Sequence, residues 1–465
     1  MSKLNLANVR KALHYLKRNG VMNTIWASLE RMEKSPEESY TYQYPAEEVL
    51  VKQRERKWHY EPLISIVVPT YRTPEAFLTK MVNSVLQQTY DHLELIITDA
   101  TEDSSVETKL QEIIQKYKNG DEKRIVYLHL DKNIGISENT NAGIEKAAGE
   151  YIALLDHDDF LEPDALYWIA DAIEKSFVFG KKAGMLYTDE DKCNQDETEY
   201  YEPHRKTDFN LDLLLSNNYI CHFLVMEARL MKRLKLRGAF NGAQDFDLVL
   251  RAAGELVFHE ENDKKDGREP MEILHIPRVL YHWRCHRNST AENPASKEYA
   301  YVAGQRAVQA FADARGFKAK AFPLKHMGFY GLHYEKDILE QRPELGAVCG
   351  RILKRGRIWG GGMEEDGSVL YAGLPARYSG YMHRAVLCQE VAAGDIRMLQ
   401  VAKSQWPLFE KTVGVPYEEA KEGGWFDYTT LPADADFEKL SLKLAKALHS
   451  EGKQILWDPS WSRKE

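Results

Sequence analysis

Short apolar runs alternate with amphipathic stretches through the first half of the chain. Ile64-Ser65-Ile66-Val67-Val68 is nearly continuous, as expected of a strand buried on both faces. Thr73 and Pro74 then open a helix, with Thr as N-cap and Pro in the first turn. Its apolar stripe is Phe77/Leu78, Met81/Val82 and Val85/Leu86. Leu93–Ile97 reads as a second strand running to Asp99, and Val106, Leu110, Ile113/Ile114 and Tyr117 have helical spacing. Ile125–Leu130 is a third strand, Ser137–Ala148 a third helix and Tyr151–Leu155 a fourth strand, with Pro163 starting the next helix. Strands alternating with amphipathic helices predict an α/β fold with a mostly parallel sheet and right-handed crossovers. Ligands of such sheets bind beyond the carboxyl ends of the strands. Here those ends carry Pro69-Thr70-Tyr71, Asp99 and Asp156-His157-Asp158-Asp159.

The flanks read differently. Residues 1–29 contain Lys3, Arg10, Lys11, Lys17 and Arg18 and no acid before Glu30. Val9, Leu13 and Leu16 would share one helical face there. A basic amphipathic helix of this kind can lie on an anionic membrane surface, or simply pack on the body of the protein. Residues 33–61 are polar and punctuated by Pro36 and Pro45, which suits a linker. Past residue 180 the pattern loosens into polar clusters, the expected substrate-covering half of the same domain, until a closing helix over 297–315. The tail from about 330 has a Gly-rich stretch (Gly350 to Gly373) and a helical pattern through Leu440, Leu442, Leu444 and Leu448. The expected organisation is a helical segment and linker over 1–61, the α/β domain over 62–320 and a smaller α/β module over 330–465.

Composition narrows the class. With 43% hydrophobic and 29% charged residues the chain is neither collagen-like nor disordered. No apolar run reaches the ~18 residues that span a bilayer, and the first 25 residues lack the apolar core of a secretory signal. Five scattered cysteines, never in a CxxC, argue against a disulfide framework or a cysteine zinc knuckle and fit a reducing cytoplasm. A net charge of −9 argues against non-specific nucleic-acid binding.

Three carboxylates within four residues, at the end of a buried strand, repel one another unless a cation neutralises them. Oxygen ligands favour Mg²⁺ or Mn²⁺, which would in turn bridge the phosphates of a nucleotide. Asp99 is placed either to hydrogen-bond a base or ribose, or to make a turn. Asn133-Ile134-Gly135-Ile136-Ser137 offers free amides before a helix but is neither a GxGxxG nor a P-loop. In Gly242-Ala243-Gln244-Asp245-Phe246-Asp247 either aspartate can cap a helix. His282 and His286, four apart, lack the neighbouring Glu and third ligand of a zinc helix. One of them supplementing the carboxylate site is the better reading.

The ordered set ISIVVPTY (64–71), Asp99, NIGIS, LLDHDD, LYTDEDK, DFNLDLLLSNNYICH, GAQDFDL and IPRVLYHWRCHRNST resembles the family 2 glycosyltransferases, which have the GT-A fold. Within them it is most similar to bacterial rhamnosyl- and galactofuranosyltransferase-like polysaccharide enzymes, over about residues 62–320. The resemblance implies an inverting transferase that uses a nucleotide-diphosphate sugar, a glycan or lipid-linked acceptor and Mn²⁺ or Mg²⁺. It puts Pro69, Thr70, Tyr71, Asp99 and Asn139 at the nucleotide, and Asp156 and Asp158 on the DxD motif at the metal. Asp245 falls on the catalytic base, and His286, rather than His282, is the better match to a late metal-side His. Asp189, Asp191 and Gln244 are implied on the acceptor side; Gln244 stands where many members have Glu. The setting implied is cytoplasmic, at the inner face of the plasma membrane, with residues 1–29 as a peripheral contact. The rival expectation is a catalytically inactive carbohydrate-binding or scaffold subunit. Parts of the tail, Gly350-Arg351-Ile352-Leu353 and Glu451 to Trp457, faintly resemble the second half of another such domain, without a DxD.

Overall fold

In a computed structural model the protein is described over residues 6–32, 40–116, 124–258, 269–286, 298–421 and 423–465. Tyr117, the Arg287–Thr290 end of the last motif, residues 33–39 of the linker reading and residues 1–5 lie outside these. The chain forms two compact units. The first comprises 1–7, 36–209 and 218–307; the second comprises 8–35, 210–217 and 308–465.

The first unit is built on a nine-stranded sheet. Its strands are β1 (Ile64–Thr70), β2 (Leu93–Asp99), β3 (Arg124–His129), β4 (Tyr151–Leu154), β5 (Phe160–Leu161), β6 (Lys182–Asn194), β7 (Tyr200–His204), β8 (Leu224–Glu227) and β9 (Met271–Cys285). Their order is β3-β2-β1-β4-β8-β6-β9-β5, with β7 on β6. The β3-β2-β1-β4 half is parallel, as the apolar runs predict. Helices Glu75–Leu86, Ser105–Lys116, Ile136–Lys146 and Ala165–Val178 connect or follow these strands. The helix over 136–146 approaches β1 and β2 so closely that a Cβ on Gly143 would meet Val67 Cγ1 at 2.6 Å. This is the mixed α/β architecture of a GT-A fold.

The half past residue 180 is where sequence and structure diverge. Its polar clusters are long strands: β6 has 13 residues and β9 has 15. β8 runs antiparallel to β4 and β6, whereas β6 and β9 are parallel. The acids of Asp189-Glu190-Asp191 and the segment from Tyr281 to Cys285 therefore sit on neighbouring strands. Residues 40–61, which composition reads as linker, also differ. They contain a helix, Glu47–Arg54, that buries Leu50 and Gln53. Arg56 pairs with Asp171 at 2.7 Å and Glu174 at 2.6 Å and lies over the Trp58 ring. A single buried leucine and a polar clamp leave no apolar periodicity to find.

The second unit has its own five-stranded sheet, Leu345–Lys354 at its centre beside Gln454–Lys464. Helices Trp406–Val413 and Phe437–Ser450 contribute Phe409, Leu444 and Leu448 to its core, which also includes Val401, Ile455 and Trp457. Arg342, fully buried, makes a two-pronged pair with Asp212 at 2.9 and 3.0 Å. The amino-terminal helix Leu6–Met32 belongs to this unit from residue 8 onward.

Candidate active site

The parallel strands end in register. Thr70 of β1 lies beside Asp99 of β2, and Asp99 beside His129 of β3. Because β4 is paired Val67 to Leu154, Asp156 emerges next to the end of β1. Asp99 is fully buried and heavily used. Its Oδ1 accepts from Thr70 Oγ1, Thr101 N and Thr101 Oγ1, and its Oδ2 from Tyr127 OH at 2.8 Å. It fastens the three strand ends together. Tyr71 OH donates to the exposed Glu102, which Arg72 also grips. Asn139 braces the loop before its helix: Nδ2 donates to Asn133 and Oδ1 accepts from Ile134 N. Thr73 is not an N-cap; its hydroxyl meets His157 Nδ1 at 3.0 Å, and Pro74 occupies the cap position.

The turn from Asp156 to Asp159 is crowded with charge. Asp159 is buried, accepting from Tyr281 OH at 2.5 Å and from Arg284 N at 2.8 Å. Burial first, and then Asp158 and Asp156, push its carboxyl well above the usual range. Asp156 is raised as well, by desolvation in the cleft and by Asp158, although His222 opposes this. Its side chain still keeps 49% of its surface open. Burial would also raise Asp158, but His157 and His286 outweigh it and bring it below the usual range.

Of the two histidines, His286 is the one that reaches the acidic turn. Its Nε2 lies 2.9 Å from Asp158 Oδ2, across 128 residues of chain. His282 is elsewhere and otherwise engaged. It is buried between Glu162 (2.6 Å) and Asp191 (2.7 Å), whose other contacts are Tyr42 OH and Tyr40 OH. Burial disfavours charge on His282, yet the two carboxylates outweigh it and push its pKa up to about 9. A folded value above the ordinary 6.5 stabilises fully below pH 6.5 and loses that stabilisation as pH rises through about 9. The size is about 3 kcal/mol. Urea unfolding of the wild type between pH 6.5 and 10 should show this loss, and His282→Gln should lack it. Parallel curves for both proteins would mean that His282 is uncharged.

Asp245 opens the helix Gln244–Val257, whose N-cap Ala243 makes no side-chain bond. Neither aspartate caps it. Asp247 is buried between Arg237 and Arg251. Asp245 Oδ2 accepts from Asn218 Nδ2 at 2.8 Å, and its charge reaches Asp156 and Cys221. Gln244 Oε1 accepts from Gly242 N, closing the turn before the helix.

Asp189 and Asp191 are buried side chains held by neighbours, not groups open to the cleft. Asp189 accepts from Lys206 N and meets His275 Nε2 at 2.9 Å; Asp191 meets His282 and Tyr40. The acid between them, Glu190, turns toward His222 Nδ1 (3.2 Å) and the fully buried Lys206 Nζ (3.1 Å). Burial opposes its charge, but Lys206 and His222 hold it well below the usual range. His222 lies 3.7 Å from Asp156 and stacks on Tyr281. Burial works against its charge, but Cys221 and Glu190 raise it well above the ordinary value. Glu190, Asn218, Lys206, His222 and Arg284 were not singled out from the sequence. For Glu190 the signal was there: in a strand, adjacent residues face opposite sides, so one acid of the three must differ from its neighbours.

Asp156, Asp158 and His286 present two carboxylates and one imidazole at the mouth of a parallel sheet. Among the described residues, the sets whose ligand atoms all lie within 4.8 Å of one another are Asp156, Asp159 and His222, and Glu190, Cys221 and His222; Asp156, Asp158 and His286 are not such a set. Asp159 is already engaged by Tyr281 OH and Arg284 N, and His222 by Glu190. The remaining donors, mostly hard oxygens, fit Mn²⁺ or Mg²⁺.

The acidic turn thus follows β4 in the mixed sheet, with His286 bonded to Asp158 and the charge of Asp245 felt at Asp156. Residues 65–237 match the model of Glycosyl transferase family 2, and over this stretch the chain is similar to that family. The protein y4gI of Sinorhizobium fredii is 37% identical over 249 residues, 53% of this chain and 25% of that protein. The O-antigen biosynthesis protein RfbC of Myxococcus xanthus is 31% identical over 260 residues, 56% of this chain and 19% of that protein. The chain thus spans a quarter or less of the length of these two relatives. A crystal structure of S. aureus TarS 1-349 in complex with UDP-GlcNAc aligns at 17% identity with a TM-score of 0.39, over 53% of this chain and 66% of that one.

Proposed function

We propose that the protein transfers a sugar, with inversion, from a nucleotide-diphosphate sugar to a hydroxyl of a glycan or lipid-linked acceptor in surface-polysaccharide assembly. The observation that carries this reading is the meeting of His286 with Asp158, in the same unit as Asp156 and Asp245. The match of residues 65–237 to the Glycosyl transferase family 2 model supports the transferase reading, and the name of the relative RfbC supports the polysaccharide context. Asp245 is the general base that takes the acceptor proton. The nucleotide lies along Pro69, Thr70, Tyr71 and Asp99, with Asn139 shaping the loop beside it. Asp156, Asp158 and His286 hold the Mn²⁺ or Mg²⁺. When bound, the cation neutralises charge gathering on the nucleoside diphosphate. Gln244 borders the acceptor, and Asp189 and Asp191 serve that side indirectly, through Lys206, His275 and His282. The enzyme works at the cytoplasmic face of a membrane that carries the acceptor, with residues 1–29 as peripheral contact. No helix of the described residues is long and apolar enough to cross a membrane.

The test is a panel of nucleotide sugars screened by thermal shift with and without Mn²⁺, followed by donor hydrolysis without acceptor. One donor should raise the melting temperature only with the cation and be slowly hydrolysed. A donor that binds but is never hydrolysed or transferred would point to the inactive carbohydrate-binding subunit.

A further inference from the structure

The amino-terminal helix carries an apolar face that the protein leaves open. Gly20, at φ 77° and ψ 170°, breaks Leu6–Met32 into two helical pieces. The basic first piece and the second piece, residues 21–32, therefore do not share one stripe. In the second piece Val21 (64% exposed), Met22 (59%), Ile25 (46%), Leu29 (42%) and Met32 (80%) are all open. At 3.6 residues per turn these five positions fall within an arc of about 100°. The opposite arc is the one that packs. Asn23 receives Lys325 Nζ, Trp26 stands edge-on to Tyr378, and Glu30 accepts from Ser379 N and Gly380 N. Before the kink, Leu13 is also exposed at 59%, whereas Leu16 is partly covered.

Isolated exposed leucines mean little, but five apolar side chains on one helical arc do. The charge around them says what covers the face. Residues 1–29 hold five cations and no acid. Lys17, Arg18 and Arg31 are exposed, and the one acid, Glu30, is turned inward onto two backbone amides. Residues 1–32 carry six cations and a single acid, Glu30, and an apolar stripe on so basic a segment is complementary to an anionic lipid headgroup layer over acyl chains.

We propose that residues 21–32 form an interfacial helix that seats the protein on an anionic lipid surface, inserting Val21, Met22, Ile25, Leu29 and Met32. This places the membrane contact on a face different from the Val9, Leu13 and Leu16 stripe that the sequence suggests. It rests on the transferase reading only for its purpose, which is to bring the site near a lipid-linked acceptor. The experiment uses the full chain, with neither donor nor acceptor, so its outcome is independent of that reading. Binding is measured by co-sedimentation with vesicles of phosphatidylcholine alone and of phosphatidylcholine mixed with phosphatidylglycerol. The protein should bind the mixed vesicles, release as salt rises past the Debye limit, and largely ignore phosphatidylcholine alone. Ile25→Gln/Leu29→Gln should weaken binding at least about tenfold, with an unchanged circular dichroism spectrum because both side chains are exposed. Equal binding by the double variant would overturn the proposal. So would a wild-type dimer, seen by sedimentation, that the double variant dissociates without any vesicle binding by either protein; the face would then join two copies of the chain.

Discussion

Asp245→Asn is expected to lower turnover by about 10² to 10⁴ while leaving cation-dependent donor binding nearly unchanged. The amide keeps the shape of the carboxylate, and its oxygen can still accept from Asn218 Nδ2. What it loses is the basic oxygen that would take a proton. The helix it opens should survive, because the side chain makes no cap and the cap residue is Ala243. Removing one negative charge from a helix amino terminus costs about 0.3 to 1 kcal/mol. Asp247 cannot substitute, since both its oxygens are held by Arg237 and by Arg251. Single-turnover transfer rates, together with calorimetric titration of donor, separate the two effects. A variant that transfers at close to the wild-type rate would reduce Asp245 to a charge at the start of a helix.

The parallel half of the sheet was legible because each strand there is buried on both faces and so is written as a continuous apolar run. β6 and β9 were not. Each mixes buried charge with apolar residues, and the pairing that justifies Asp191 against His282 is between residues 91 apart. No local pattern announces such a contact. The same reason explains the candidate site. Motif order brought Asp99, Asp156, Asp158, Asp245 and His286 into view, and the strand ends account for the first three. The motif implies Asp189 and Asp191 on the acceptor side; strand alternation turns Asp191 toward His282 and leaves Glu190 facing His222. His222 and Lys206 escaped notice because a lone histidine and a lone lysine carry no periodicity. The buried Lys206, which donates to Glu190, Ile220 O and His222 O, becomes meaningful only in three dimensions.

Asp158→Ala should abolish cation-dependent donor binding, and His286→Ala should weaken it by roughly 10- to 100-fold. The two differ because a carboxylate supplies charge as well as a lone pair, whereas a neutral imidazole supplies only the lone pair. An imidazole also suits Mn²⁺ better than Mg²⁺, which prefers oxygen and retained water. Loss of His286 should therefore narrow any preference for Mn²⁺. Misfolding can be told apart from ligand loss by circular dichroism and thermal melting in the absence of cation and nucleotide. Asp158 repels Asp156 and Asp159 but pairs with His157 and His286, so the test is whether the variant still unfolds cooperatively. The defect of a folded Asp158→Ala protein should appear only when cation and nucleotide are added together. The competing account is that His286 does no more than hydrogen-bond Asp158 at 2.9 Å and rest beside the Phe77 ring. Calorimetry of Mn²⁺ plus nucleoside diphosphate decides between them: a His286→Ala protein that binds the pair as tightly as the wild type removes His286 from the metal site.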